Sequence, residues 1–301
     1  MIFRKNVLNT PFYLLILITF CSGVIRHDVD ETKYLELASQ KQFDCVGKVV
    51  NDTDKLKGSC VFIGTKYVLS VAHVFMEYDF HPDTMKIGGQ TVIANVASNP
   101  RIADVSKYYF EFNGRRYQGK SILIHPNYLN KSTKGSCDIA IVELQENVND
   151  ILPITLNNSF DELNEDVVGV GYGASGIANK PKTVVSLRKK IGGENIIDSI
   201  GGKLLNNIPT LLYSDFDSPT DTTLNRMGNS TPKPLEYVFS GGDSGGGLFR
   251  RTRKSWELVG LAATTNADME NFAKNGYYGS IMGWTRVSSF KSWIMQTLNK
   301  K

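Results

Sequence analysis

The chain has 301 residues, 41% hydrophobic and 21% charged, with a formal net charge of +4, enough for one two-lobed domain or two small ones around a buried core. Its basic residues are scattered except at 250–254 and the carboxyl terminus. With no helix-borne or aromatic-interleaved basic stripe, those clusters read as solvated loop and exclude a nucleic-acid partner.

In chain order, Arg4 and Lys5 precede an apolar run at residues 12–20, followed by Cys21, Ser22 and Gly23. A basic start, a short apolar stretch and small residues at its end describe a secretory signal, residues 1–23, and a secreted protein, extracellular or periplasmic. The run is about half the roughly 20 residues a membrane span needs, so no stable span is expected after signal removal. Cleavage after Gly23 would leave Val24 first. Cys45, Cys60 and Cys137 then remain, an odd count that allows one internal bridge at most. There is no C-x-x-C, and His27, His73, His81 and His125 form no ligand-spaced pair, so neither a metal nor another cofactor is expected.

Residues 24–43 form an amino-terminal segment in which Tyr34, Leu35, Leu37 and Ala38 can share one short helical face. From about residue 44 the pattern becomes short runs rich in β-branched and aromatic residues, such as CVFIGTKYVLSVA, DIAIVEL, DVVGVGYG and WELVGLAATT. Many such runs with no helices alternating between them predict an all-β fold of antiparallel barrels or sandwiches. The pattern weakens over residues 192–234, which read as surface loops. At the end, Phe290, Trp293, Ile294, Thr297 and Leu298 recur at helical spacing behind Ser288 or Ser289 as the cap, predicting a carboxyl-terminal α-helix.

The stretch GGDSGGGLF lies between apolar strand-like runs, so its glycines belong inside the fold. A serine attacking a carbonyl needs a turn tight enough to present its hydroxyl and backbone N–H groups aimed at the developing oxyanion; Gly242 and Gly245 permit such a turn around Ser244. A base is available in KYVLSVAHVF, where His73 follows an apolar strand, and an orienting carboxylate in CDIAIVEL, where Asp138 heads a buried-looking strand. Singly, each residue has an ordinary structural reading as a strand-end histidine, a turn aspartate or a glycine turn. Their order, His then Asp then Ser, with these neighbourhoods, is what singles them out.

GSCVFIGTKYVLSVAHV, IHPNY followed by DIAIVEL, VVGVGYG, GGDSGGGLF, WELVGL and GWTRVSSFKSWI occur in that order, and through them the chain resembles the trypsin/chymotrypsin-like serine endopeptidases from about residue 44 to its end. The resemblance implies two antiparallel six-stranded β-barrels with the site between them, as one domain over residues 44–301, acting as a monomer on protein or peptide substrates. It implies Ser244 as nucleophile, His73 as general base and acid, Asp138 as the buried carboxylate, and the N–H groups of Gly242 and Ser244 as oxyanion hole. It also implies that Asp243 pairs with a freed α-amino group. No ordinary activation junction is present, and SGVIRHDV at the signal cleavage point makes Val24 the candidate, with a propeptide cut in residues 26–42 as the rival.

Two customary disulfides are missing, since Val74 and Ser240 stand where the family carries cysteine; Cys45 and Cys60, on neighbouring strand segments, are candidates for a bridge of their own. The stretch between His73 and Asp138 is longer than is usual in the family, which places an insertion around residues 77–118 that extends the first barrel or its loops. The resemblance also implies Val238 at the base of the primary specificity pocket and Thr265 and Met282 on its walls, hence a shallow apolar pocket for small aliphatic side chains. A catalytically silent binding protein of the same fold is the alternative; an α/β-hydrolase esterase is opposed by the residue order and the all-β pattern. Asn51, Asn130, Asn157 and Asn229 each begin an N-x-S/T sequon.

Overall fold

The computed structural model describes residues 23–87, 90–128, 137–186, 188–265 and 276–299; the signal reading and the Asn130 sequon lie outside them. The chain enters as strand β1 (Gly23–Ile25) and then helix α1 (Glu31–Ala38), which starts where the Asp30 side chain accepts from Thr32 N at 2.8 Å. Its inward face is carried by Tyr34 and Ala38, both fully buried, while Leu35 and Leu37 are only partly covered.

Strands β2 (Val46–Asn51), β3 (Leu56–Gly64) and β4 (Tyr67–Ser70) begin the first barrel. Strands β5 (Met76–Ile87) and β6 (Gln90–Ile102) then pair with each other as a long antiparallel ribbon, and residues 76–103 form a compact unit of their own. Within it Arg101 reaches Asp79 at 2.7 Å and Tyr78 lies against Phe80. The chain continues through β7 (Tyr108–Phe112), β8 (Arg115–Ile124) and β9 (Ala140–Leu144), and β2, β3, β4, β9, β8 and β7 close into a six-stranded barrel. Of the stretch read as an insertion, residues 108–112 and 115–118 are barrel strand, with Phe110, Phe112 and Tyr117 fully buried.

The second barrel, whose strand pairing among the described residues does not close into six strands as expected but runs as an open main sheet and a smaller one, comprises β10 (Thr155–Leu156), β11 (Asp166–Gly171), β12 (Ser175–Ile177), β13 (Lys180–Ser186), β14 (Ile191–Ile196), β15 (Ser199–Leu205), β16 (Ile208–Asp215), β17 (Tyr237–Val238), β18 (Gly247–Arg251), β19 (Trp256–Thr265) and β20 (Ile281–Arg286). Its main sheet runs β14-β11-β18-β19-β20-β16-β15, with β10 added in parallel beside β19. The two ends of that order, β14 and β15, are halves of one chain segment broken only at Ile197 and Asp198. Continuity of that segment draws the sheet round on itself. Strands β13, β12, β1 and β17 make a smaller sheet beside it. Residues 192–215 are thus paired strands, not surface loop; their glycines and asparagines serve bulges and turns, as at Asn206 and Asn207, both in the left-handed region.

Helix α2 (Val287–Asn299) follows β20 without a break. Ser288 and Ser289 therefore lie inside its first turn instead of capping it. Ser288 Oγ donates to Glu162 at 2.6 Å and Ser289 Oγ to the Pro209 carbonyl at 2.7 Å. Glu162, fully buried, also accepts from Arg286 and from Asn157 Nδ2. With Asn157 itself fully buried, that sequon is closed to modification. Cys45, Cys60 and Cys137 are free thiols among the described residues: Gly47 pairs with Cys60 across β2 and β3, which leaves Cys45 and Cys60 diagonal, where side chains are farther apart than a disulfide spans.

Removing the buried carboxylate in Glu162→Ala leaves the Arg286 guanidinium uncompensated, and we expect a loss of about 3–5 kcal/mol, read from the midpoint of urea denaturation at unchanged slope.

Candidate active site

His73 sits on a short 3₁₀ turn (Ala72–Phe75) directly after β4, where Ala72, Val74 and Phe75 are buried and hold the turn against the barrel. Asp138 precedes β9 and is 6% exposed. Its Oδ1 accepts from the His73 backbone N–H at 2.9 Å and its Oδ2 lies 2.6 Å from His73 Nδ1. The other ring nitrogen, Nε2, lies 2.8 Å from Ser244 Oγ. One carboxylate thus holds both the backbone and the ring of the histidine, and the ring bridges to the serine.

Burial opposes charge on His73, yet the attraction of Asp138 and its hydrogen bond outweigh it, so the imidazole titrates above its ordinary 6.5. The second barrel also takes part, because Thr285 Oγ1 on β20 donates to the Asp138 carbonyl at 2.9 Å.

Ser244 lies in the turn before β18. Gly242 has φ +100° and Gly245 φ +85°, a region only glycine enters without strain. A side chain at Gly245 would strike Ser70 Oγ and the Ser59 carbonyl, and one at Gly58 the Ser244 carbonyl. Close backbone approach between the barrels is therefore built into the glycines.

Every carbonyl of residues 240–244 has a donor. Ser240 O accepts from Asp243 N at 3.0 Å, Gly241 O from Ala174 N at 3.4 Å and Asp243 O from Gly246 N at 2.6 Å. Gly242 O accepts from Ser59 Oγ at 2.9 Å and Ser244 O from Ser59 N at 2.8 Å. In a trans peptide the N–H points away from the carbonyl of its own unit, and among the described residues the N–H groups of Gly242 and Ser244 have no acceptor.

Asp243 points the other way. It is 4% exposed and packs so closely on Gly171 and Gly173 that a Cβ at either would collide with it. It accepts from Ser240 N at 2.9 Å and Gly173 N at 2.7 Å, and no cation pairs with it among the described residues. Burial pushes its carboxyl up to about 6, against the pull of those two N–H groups. Val24 is fully buried on β1, opposite Val238 on β17 and Gly176 on β12. Ile25 O accepts from Ala178 N at 2.9 Å, which turns the polar groups of Ile25 to β12 and those of Val24 to Val238.

Val238 and Met282 are buried in one apolar cluster with Phe216, Phe239 and Tyr278. Phe239 N donates to Met282 Sδ at 3.4 Å, and the Phe239 ring stands edge-on to Trp284 at 4.6 Å. Thr265 pairs with Met282 across β19 and β20 and is half-buried; residues 266–275 beyond it are outside the described set. The structure therefore brings His73, Asp138, Ser244 and Gly242 together, sets Asp243 behind them, and groups Val24, Val238 and Met282 in the core beside Thr265. Sequence reasoning did not single out Ser59, Phe239 or Thr285, although Ser59 and Thr285 lie inside stretches that carry the family resemblance.

A closed six-stranded barrel is joined to a second curled sheet and a terminal helix, with the His-centred hydrogen-bond chain running from barrel to sheet. The family model described as Trypsin matches residues 36–294. The chain belongs to the trypsin family.

Proposed function

We propose that the chain is a secreted serine endopeptidase, and the observation that carries this is the imidazole of His73 spanning from Asp138 at 2.6 Å to Ser244 at 2.8 Å. Ser244 Oγ attacks the scissile carbonyl while His73 Nε2 takes its proton. Asp138 accepts from Nδ1–H, fixing the tautomer and stabilising the imidazolium. The oxyanion is received by the N–H groups of Gly242 and Ser244, the two left without acceptors. His73 then returns the proton to the leaving amine, and water repeats the sequence on the acyl-enzyme.

The base works only when neutral, so activity falls as pH drops through the His73 pKa. Because Asp138 raises that pKa, the acid limb of kcat/KM is expected above pH 6.5. Asp138→Asn should lower kcat by about 10⁴-fold and move the limb to lower pH; a pH–rate profile of both proteins checks this.

Asp243 is the acceptor proposed for a new amino terminus. A buried carboxyl held by two N–H groups and no cation gains most from an ammonium group. Export with removal of the signal supplies it from Val24. The turn of the Val24 N–H toward Val238 favours a second site, cleavage after Ser22, which puts the ammonium on Gly23. Labelling the mature protein with a serine-directed fluorophosphonate, beside Ser244→Ala, and sequencing the amino terminus of labelled molecules tests both points. Labelling lost in the variant, on chains beginning at Gly23 or Val24, is expected. No labelling on such chains would favour either a further cut or the silent binding protein, which limited proteolysis followed by relabelling separates, and labelled chains beginning in residues 26–42 would favour a propeptide.

The pocket proposed for the residue before the scissile bond is bounded by Val238, Thr265 and Met282. With buried apolar side chains at two of these positions, it suits small aliphatic residues. Met282→Gly should shift preference toward Phe or Tyr, measured as the ratio of kcat/KM for alanyl and phenylalanyl peptide anilides.

A further inference from the structure

The geometry points to Ser59 as a positioning residue that holds the two oxyanion donors in register; the inference rests on Ser244 acting as the nucleophile. Ser59 is fully buried on β3 of the first barrel and touches no reacting atom. Strand β3 meets β4 only from Val61 onward, so at Ser59 the backbone is left to face the nucleophile turn.

Four hydrogen bonds converge on this residue. Its N–H donates to Ser244 O at 2.8 Å. Its Oγ donates to Gly242 O at 2.9 Å and accepts from Tyr172 N at 3.0 Å, and its carbonyl accepts from Ser70 Oγ at 2.7 Å. The hydroxyl thus uses its one proton on the nucleophile turn and a lone pair on the second barrel, and has no freedom to rotate away.

The consequence lies in which peptide unit is held. The donor of Gly242 sits on the unit shared with Gly241, whose carbonyl has only long contacts, 3.4 Å from Ala174 N and 3.3 Å from Ser240 Oγ. The donor of Ser244 sits on the unit shared with Asp243, held at 2.6 Å by Gly246 N. Between them is the unit joining Gly242 to Asp243, and its carbonyl is the one Ser59 Oγ grips. Gly242, at φ +100°, has the backbone freedom to swing its N–H aside. Fixing the intervening unit limits that swing. Sequence alone conceals this, because a serine on a buried strand edge has the look of a filler.

The test compares wild type with Ser59→Ala. Expected are a fall in kcat of about 10- to 100-fold, less than or equal to the loss of a whole oxyanion donor, with KM for an anilide substrate within about twofold of wild type. The Ki of a peptide aldehyde of the same sequence, which forms a hemiacetal oxyanion on Ser244, should rise by the same factor as kcat falls. The pH of the acid limb should not move, since His73 is untouched. Ser59→Thr and Ser59→Val, which differ by a hydroxyl for a methyl at similar volume, carry the same comparison should alanine fail to fold; Thr is expected to exceed Val in kcat. Unchanged kcat, or a fall in kcat without a matching rise in aldehyde Ki, overturns the role of Ser59 while leaving the protease reading intact. A mature wild-type protein with neither turnover nor Ser244-dependent fluorophosphonate labelling overturns both.

Discussion

The arrangement depends first on burying the carboxylate of Asp138. A charge taken out of water must be met by hydrogen bonds and an opposing partner, and here both come from His73, through its backbone N–H and its ring. Since Thr285 of the second barrel holds the backbone of Asp138 and β9, which follows it, closes the first, the same few atoms that orient the histidine also tie the barrels together. Site geometry and barrel docking are one constraint.

Three buried carboxylates show how surroundings separate roles. Glu162 is saturated by Arg286, Ser288 and Asn157 and ties the terminal helix to the second barrel. Asp138 is matched to an imidazole, a group that can gain or lose its charge. Asp243 is held by backbone N–H groups alone among the described residues, and burial lifts it to about 6. Those differences follow from what stands opposite each oxygen, since the side chains are chemically alike.

Stability without the customary disulfides rests on strand pairing and core aromatics. Phe62, Phe75, Phe110, Phe112 and Tyr117 fill the first barrel and are fully buried, while Phe43 meets Phe249 and Trp256 where α1 leads into β2. The Cys45 thiol, pushed up to about 12 by burial, stays protonated and behaves as a small apolar side chain. At Val74, where the family carries a cysteine, a buried aliphatic group packs against Gly58 instead.

The all-β character, the terminal helix and the His73, Asp138 and Ser244 constellation were legible in the chain, because alternation, helical spacing and glycine at strained turns are local properties that each segment carries by itself. What lay beyond it involved partners distant in sequence. Residues 192–215 look like loop until their neighbours on β11 and β20 are known. Ser288 and Ser289 look like caps until Glu162 and Pro209 claim their hydroxyls. Cys45 and Cys60 look like a pair until the register of β2 and β3 sets them diagonally. Ser59 means nothing until Gly242 O arrives opposite it. The sequence by itself determined which elements form and which side chains can carry the chemistry; only the tertiary structure decided which hydrogen-bonding groups face each other, because long-range pairing is a matter of register and no short segment contains it.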